Sequence, residues 1–104
     1  MNKLDAYKMD GLGNDFIIFD KRKKSISLTK DQIIKISDRS YIGCDQVIFV
    51  GTDKSNNAYL TFYNSDGCEI KACGNGSRCA AYLLMKEKNT EKISLKTKAG
   101  ILQA

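Results

Sequence analysis

The sequence has 104 residues, with 17 Lys+Arg against 12 Asp+Glu for a formal net charge of +5, four Cys, and no His, Pro or Trp. That length suits one domain spanning residues 1–104, and 42% apolar with 28% charged residues is the composition of a folded protein rather than a disordered or collagen-like one. The absence of His excludes Ser-His-Asp triads, His-based acid–base pairs and His-ligated metals, so any chemistry must use Cys, Asp, Glu, Lys, Tyr or the backbone.

In chain order, Leu4 to Met9 and Phe16 to Asp20 read as two short strands around a glycine turn, Gly11-Leu12-Gly13-Asn14. Thr29 followed by Gln32 is a capping-box pattern that opens a helix through Ile33, Ile34 and Ile36. Gln46 to Val50 is a buried strand and Gly51 to Asn57 a polar loop. Ala58 to Tyr63 alternates, with Tyr59, Thr61 and Tyr63 on one face and Leu60 and Phe62 on the other. Asn64-Ser65-Asp66-Gly67 is a turn, and Cys68 to Ala72 returns as a strand. A helix starts near Gly74-Asn75-Gly76 and runs to about Lys88, with Lys86 and Lys88 in its last turn, where cations suit the dipole. Ile93 to Thr97 and Ile101 onward are strands joined at Ala99-Gly100. The pattern is that of an α+β domain in which a mixed or antiparallel β-sheet wraps around a central α-helix.

The charge invites a nucleic-acid reading, but only Arg22, Arg39 and Arg78 among the 17 basic residues are Arg. The one dense run, Lys21-Arg22-Lys23-Lys24, has no interleaved aromatics and reads as an exposed loop, so no nucleic-acid partner is expected. The longest apolar run, Cys79 to Met85, is far short of the ~18 residues of a membrane span. Met1 to Asp5 has no apolar segment of the signal-peptide kind, so a cytoplasmic location without membrane association is expected. Cys68 and Cys73 are separated by four residues and Cys73 and Cys79 by five, but no second close pair and no His is present to complete a four-ligand zinc site, and no metal is expected. Cys44 and Cys79 read as small buried hydrophobes.

Cys73 differs. The order strand, Cys73, Gly74-Asn75-Gly76, helix sets a thiol directly before the free N–H groups of a helix start. Those groups and the dipole stabilise a thiolate, and the glycines expose backbone donors that suit a carboxylate. Such a thiol can abstract a proton beside a bound carboxylate or attack a carbonyl.

Four blocks then occur in order: Met9-Asp10-Gly11-Leu12-Gly13-Asn14-Asp15-Phe16, Gly43-Cys44-Asp45-Gln46, Asn64-Ser65-Asp66-Gly67 and Ala72-Cys73-Gly74-Asn75-Gly76-Ser77-Arg78-Cys79. Together they resemble the diaminopimelate epimerase family, over essentially the whole chain but only the N-terminal half of the family's enzyme. Asp10 departs from the pattern, standing where the family commonly has His. The resemblance implies an isomerase that needs no cofactor and interconverts LL- and meso-diaminopimelate, on the route to lysine and the peptidoglycan cross-linker. One cysteine removes the substrate α-proton and a second delivers a proton to the opposite face. Cys73 matches the N-terminal member of that pair; Asn14, Gln46 and Asn64 match side chains that hold the substrate; Gly74 and Asn75 match the backbone donors for its α-carboxylate.

The family's second cysteine lies in its C-terminal half, and none of Cys44, Cys68 or Cys79 sits in a motif resembling it. The expectation is a truncated or split epimerase half, inactive alone, whose partners are an amino-acid substrate and either a complementary C-terminal half or a second copy joined through open sheet edges. Two other classes stand beside it: a self-associating non-catalytic protein, and a small basic module for nucleic acid or a phosphate ligand.

Overall fold

The computed structural model describes residues 6–11, 13–22, 27–71, 74–90 and 92–103. Strands β1 (Ala6–Gly11) and β2 (Asn14–Asp20) form an antiparallel hairpin whose last pair is Gly11 with Asn14. Both strands run further into the expected glycine turn than the apolar pattern indicates. The loop is only two residues long, with Gly13 at φ +89°, a left-handed conformation that glycine adopts without steric cost. Asn14 thereby becomes a strand residue with a defined facing.

Helix α1 (Lys30–Ser37) carries the chain to β3 (Gln46–Gly51), which lies parallel to β2. Its capping box is complete. The Gln32 N–H donates to Thr29 Oγ1 at 3.1 Å and the Thr29 N–H to Gln32 Oε1 at 2.8 Å, satisfying two of the helix's free donors. Strand β4 (Ala58–Asn64) returns antiparallel to β3. The turn that follows is closed by the Gly67 N–H donating to the Asn64 carbonyl at 2.9 Å. The expected Cys68–Ala72 strand shrinks to the two residues of β5 (Glu69–Ile70). It shares the outer edge of β4 with β6 (Ser94–Thr97), which pairs with Ala58 and Tyr59 and leaves β5 only Phe62 and Tyr63. Helix α2 (Gly74–Lys88) links β5 to β6, and β7 (Gly100–Gln103) pairs antiparallel with β6. Among the described residues the sheet is mixed, in the order β1-β2-β3-β4-β6-β7 with β5 beside β4, and the architecture is α+β. No helix among the described residues is long and apolar enough to cross a membrane.

Period-2 alternation divides the strands between two cores. Phe16, Ile18, Ile48, Val50, Leu60 and Phe62 face α2. Ile17, Phe19, Val47 and Phe49 face α1, where Ile33 seals the layer. The buried residues of α2 recur at helical spacing, Gly76, Ala80 and Leu84 with Ser77 and Ala81 beside them, and the small ones let the helix lie close to the sheet. The approach is tightest at Gly76. A Cβ there would sit 2.8 Å from Ile48 Cδ1 and 3.4 Å from ring atoms of both Phe16 and Phe62. All three neighbours are fully buried or nearly so and have nowhere to move. At Gly74, by contrast, a Cβ would meet nothing within 4 Å among the described residues.

Two substitutions therefore separate. Gly76→Val is expected to destabilise the domain by about 1–3 kcal/mol through overpacking. Gly74→Ala should change stability by less than about 0.5 kcal/mol. Urea denaturation with an unchanged m-value checks both.

Candidate active site

Three of the expected site residues lie on strand ends that meet. Gln46 opens β3 and is paired with Phe16 of β2 on one side and with Asn64 of β4 on the other. Asn14 is two residues before Phe16. Strand alternation turns Asn14, Gln46 and Asn64 toward the same face as Phe16, Ile48 and Phe62, the face that α2 covers. The first turn of α2 lies over this row because Gly76 rests on those three core side chains. Asn75 is thereby brought to β2.

Hydrogen bonds join the group. Gln46 Nε2 donates to Asn64 Oδ1 at 3.2 Å. Asn75 Nδ2 donates to Asn14 Oδ1 at 2.7 Å, Asn14 Nδ2 donates to Asp45 Oδ2 at 3.3 Å, and Arg78 Nη1 donates to Asn75 Oδ1 at 3.1 Å. Among the described residues, the buried Gln46 Oε1 and the Ser77 hydroxyl in the first turn of α2 have no hydrogen-bond partner. Gly74 opens α2 with free space beside it, and its backbone belongs to a helix start that attracts anions. Cys73 lies outside the described residues.

On the opposite face the same strand starts carry an ionic cluster. The Asp15 and Asp45 main chains and carboxylates are cross-linked: the Asp15 N–H donates to Asp45 Oδ2 at 3.1 Å and the Asp45 N–H to Asp15 Oδ1 at 3.0 Å. Arg39 forks onto Asp15 and reaches Asp45 Oδ1 at 3.1 Å, and Lys8 Nζ pairs with Asp15 at 3.1 Å. The Arg39 guanidinium holds the Asp15 carboxyl well below the usual carboxylate range; burial opposes this, and Lys8 and the Asp45 N–H add to it. Arg39 in turn is held above its ordinary value, chiefly by Asp15.

Cys44 and Cys79 are buried, as their apolar settings predict, and Cys68 is exposed. Burial pushes the Cys44 thiol up, against a hydrogen bond from its sulfur to Ser37, so neither charge nor access favours reaction there. No group of three or more His, Cys, Asp or Glu among the described residues is placed to hold a metal. Sequence reading missed Asp45, Ser77 and Arg78. Arg78 was legible in principle, three positions after Asn75 on one helix face. Asp45 was not, because its contact with Asn14 spans 31 residues.

A glycine-opened helix start set over a row of strand-end carboxamides lies at one end of the sheet of this α+β domain. The same fold occurs in PhzF-family phenazine biosynthesis proteins: one from Enterococcus faecalis at TM-score 0.72 and 17% identity, covering 96% of this chain and 39% of that one, and one from Bacillus anthracis at TM-score 0.64 and 25% identity, covering 96% and 33%. The family model for diaminopimelate epimerase matches residues 6–104. Curated diaminopimelate epimerases of Pelagibacter ubique and Phenylobacterium zucineum are 54% identical over 101 residues and 43% identical over 98 residues, across 97% and 93% of this chain. The chain belongs to the diaminopimelate epimerase family, a family of isomerases. It spans 37% and 35% of the length of those two relatives, nearer a third than the half that the motifs suggest.

The depressed Asp15 pKa gives the ionic cluster a definite pH dependence. An acid whose folded pKa lies below its unfolded value stabilises the fold above the unfolded value, about pH 4, and loses that contribution as pH falls. The urea midpoint is expected to fall steadily below about pH 4. Asp15→Asn should lower the midpoint at pH 7 and flatten this acid limb.

Proposed function

We propose that residues 1–104 act as one domain of a cofactor-independent amino-acid epimerase that interconverts LL- and meso-diaminopimelate in the cytoplasm, in the pathway to lysine and peptidoglycan precursors. The observation that carries this reading is the convergence of Asn14, Gln46 and Asn64 beneath the first turn of α2, where Asn75 donates to Asn14, with Gln46 Oε1 and the Ser77 hydroxyl buried and without a partner among the described residues. In this reading the sheet curls around α2 so that the helix start forms the floor of the site. Cys73, one residue before that start, carries the proton to or from the substrate α-carbon.

The chemistry accounts for the arrangement. An amino-acid α-proton is very weakly acidic, so its removal needs a thiolate of lowered pKa and preorganised donors for the charge that builds on the carboxylate. One helix N-terminus serves both, stabilising the Cys73 thiolate and offering the Gly74 and Asn75 N–H groups to the α-carboxylate. Asn14, Gln46 and Asn64 hold the rest of the substrate.

Inversion needs an acid on the opposite face. Neither Cys44 nor Cys79, both buried, serves as one. The second thiol comes in this reading from a C-terminal half, on the same polypeptide or on a separate one. That half is the partner proposed for this chain, and Tyr82 on α2 and Ile101 on β7, 58% and 57% exposed, are apolar surface that it would cover.

The test is solvent exchange. LL-Diaminopimelate incubated in heavy water with this chain and the C-terminal part of a curated diaminopimelate epimerase should gain deuterium at the α-carbon, and neither part alone should support this. Cys73→Ser should slow exchange by about 10²–10⁴-fold. Absence of exchange from the assembled pair would refute the assignment.

A further inference from the structure

Four side chains form one unbroken hydrogen-bond chain across the site: Arg78 to Asn75 at 3.1 Å, Asn75 to Asn14 at 2.7 Å, and Asn14 to Asp45 at 3.3 Å. Its ends are chemically one-sided. A guanidinium can only donate and a carboxylate can only accept, whereas a carboxamide does either according to which way it is turned. We propose that Asp45 and Arg78 are positioning residues which, from the two ends of this chain, set the orientation of the Asn14 and Asn75 carboxamides in the site.

The bonding follows from the ends inward. Asp45 Oδ2 requires a donor, so Asn14 must present Nδ2 to it and leave Oδ1 for Asn75. Asn75 must then give Nδ2 to Asn14, which leaves its Oδ1 for Arg78. Turning Asn75 alone would set oxygen against Asn14 Oδ1 and NH₂ against the guanidinium. Turning both would set Asn14 Oδ1 against the Asp45 carboxylate. Either change breaks two of the three bonds, so only the observed sense of both amides keeps the chain intact.

The Asp45 end is itself held from the far side of the sheet. Asp45 Oδ1 accepts from Arg39 at 3.1 Å, Oδ2 accepts from the Asp15 N–H at 3.1 Å, and the Asp45 N–H donates to Asp15 Oδ1 at 3.0 Å. Each orientated carboxamide keeps one Nδ2 hydrogen that these bonds do not use, pointing in a fixed sense for a ligand oxygen. This deepens the proposed function and rests on it, because Asn14 and Asn75 matter to catalysis only if they line the substrate site.

Nitrogen NMR of the ¹⁵N-labelled chain reads the orientation without any activity. In the unsubstituted protein, Asn14 and Asn75 should each show one slowly exchanging side-chain amide proton. Asp45→Ala should shift and speed exchange of both pairs, and Arg78→Met should do so for Asn75 and, through it, Asn14. Arg78→Lys, which also only donates, should restore the original signals. Main-chain amides of β6 and β7 report that the fold is intact. Unmoved side-chain amides in folded Asp45→Ala would overturn the proposal. Should that variant not fold, unmoved amides in Arg78→Met, whose side chain is exposed, decide against it equally. In the assembled epimerase, Arg78→Met should lower kcat/KM for LL-diaminopimelate about tenfold or more, with recovery in Arg78→Lys. An unchanged kcat/KM despite moved amides would overturn the positioning role. Absence of exchange in the unsubstituted assembly would instead refute the substrate reading and leave the amide result standing.

Discussion

The contact between Gly76 and the sheet governs the rest of the structure. Helix α2 can lie on Ile48, Phe16 and Phe62 only because Gly76 presents no Cβ, and a side chain there would meet Ile48 at 2.8 Å. That contact sets the height of the first turn above β2, β3 and β4. Asn75 then reaches Asn14 at 2.7 Å, and the Ser77 hydroxyl is buried, without a partner among the described residues. An apolar packing constraint thus places a polar site. Packed interiors yield little to added volume, so the placement is stiff.

The same strand ends are used on both faces of the sheet for different purposes. On the α2 face, Asn14, Gln46 and Asn64 are uncharged and joined by carboxamide hydrogen bonds, with Gln46 Oε1 lacking a partner among the described residues. On the α1 face, Asp15, Arg39, Lys8 and Asp45 form a charged clamp where the two parallel strands β2 and β3 begin. Parallel strands have no hairpin to hold their ends together, and this clamp takes that place. Asp45 belongs to both arrangements, because Oδ2 accepts from the Asp15 N–H and from the Asn14 carboxamide. A single carboxylate therefore links the ionic cluster on one side of the sheet to the carboxamides on the other.

Much of the local structure was legible beforehand, for reasons that are themselves local. The Thr29–Gln32 capping box needs only four consecutive residues, and both of its bonds form. The alternation of Ala58 to Tyr63 and the Asn64–Gly67 turn involve neighbours in sequence, and both appear. The shortening of β5 was not legible. It depends on β6, more than twenty residues later, occupying the other stretch of the same edge of β4. The roles of Asp45 and Arg78 were hidden for a similar reason, since a charged residue on a surface turn or helix reads as solvated until its neighbours across the fold are placed.

The sequence by itself determined the α+β class and the family, because ordered motifs and hydrophobic periods are properties of consecutive residues. Tertiary structure decided which of those residues meet. It set Asn14, Gln46 and Asn64 side by side through a parallel pairing and an antiparallel one, registers that no stretch of sequence contains. It also seated α2 on three strands at once through one missing Cβ, and closed a donor–acceptor chain from Arg78 to Asp45 whose sense is set at its two charged ends. Registers and close contacts between distant segments are fixed only when all the packed surfaces are satisfied together, which is why they emerge at the level of the fold.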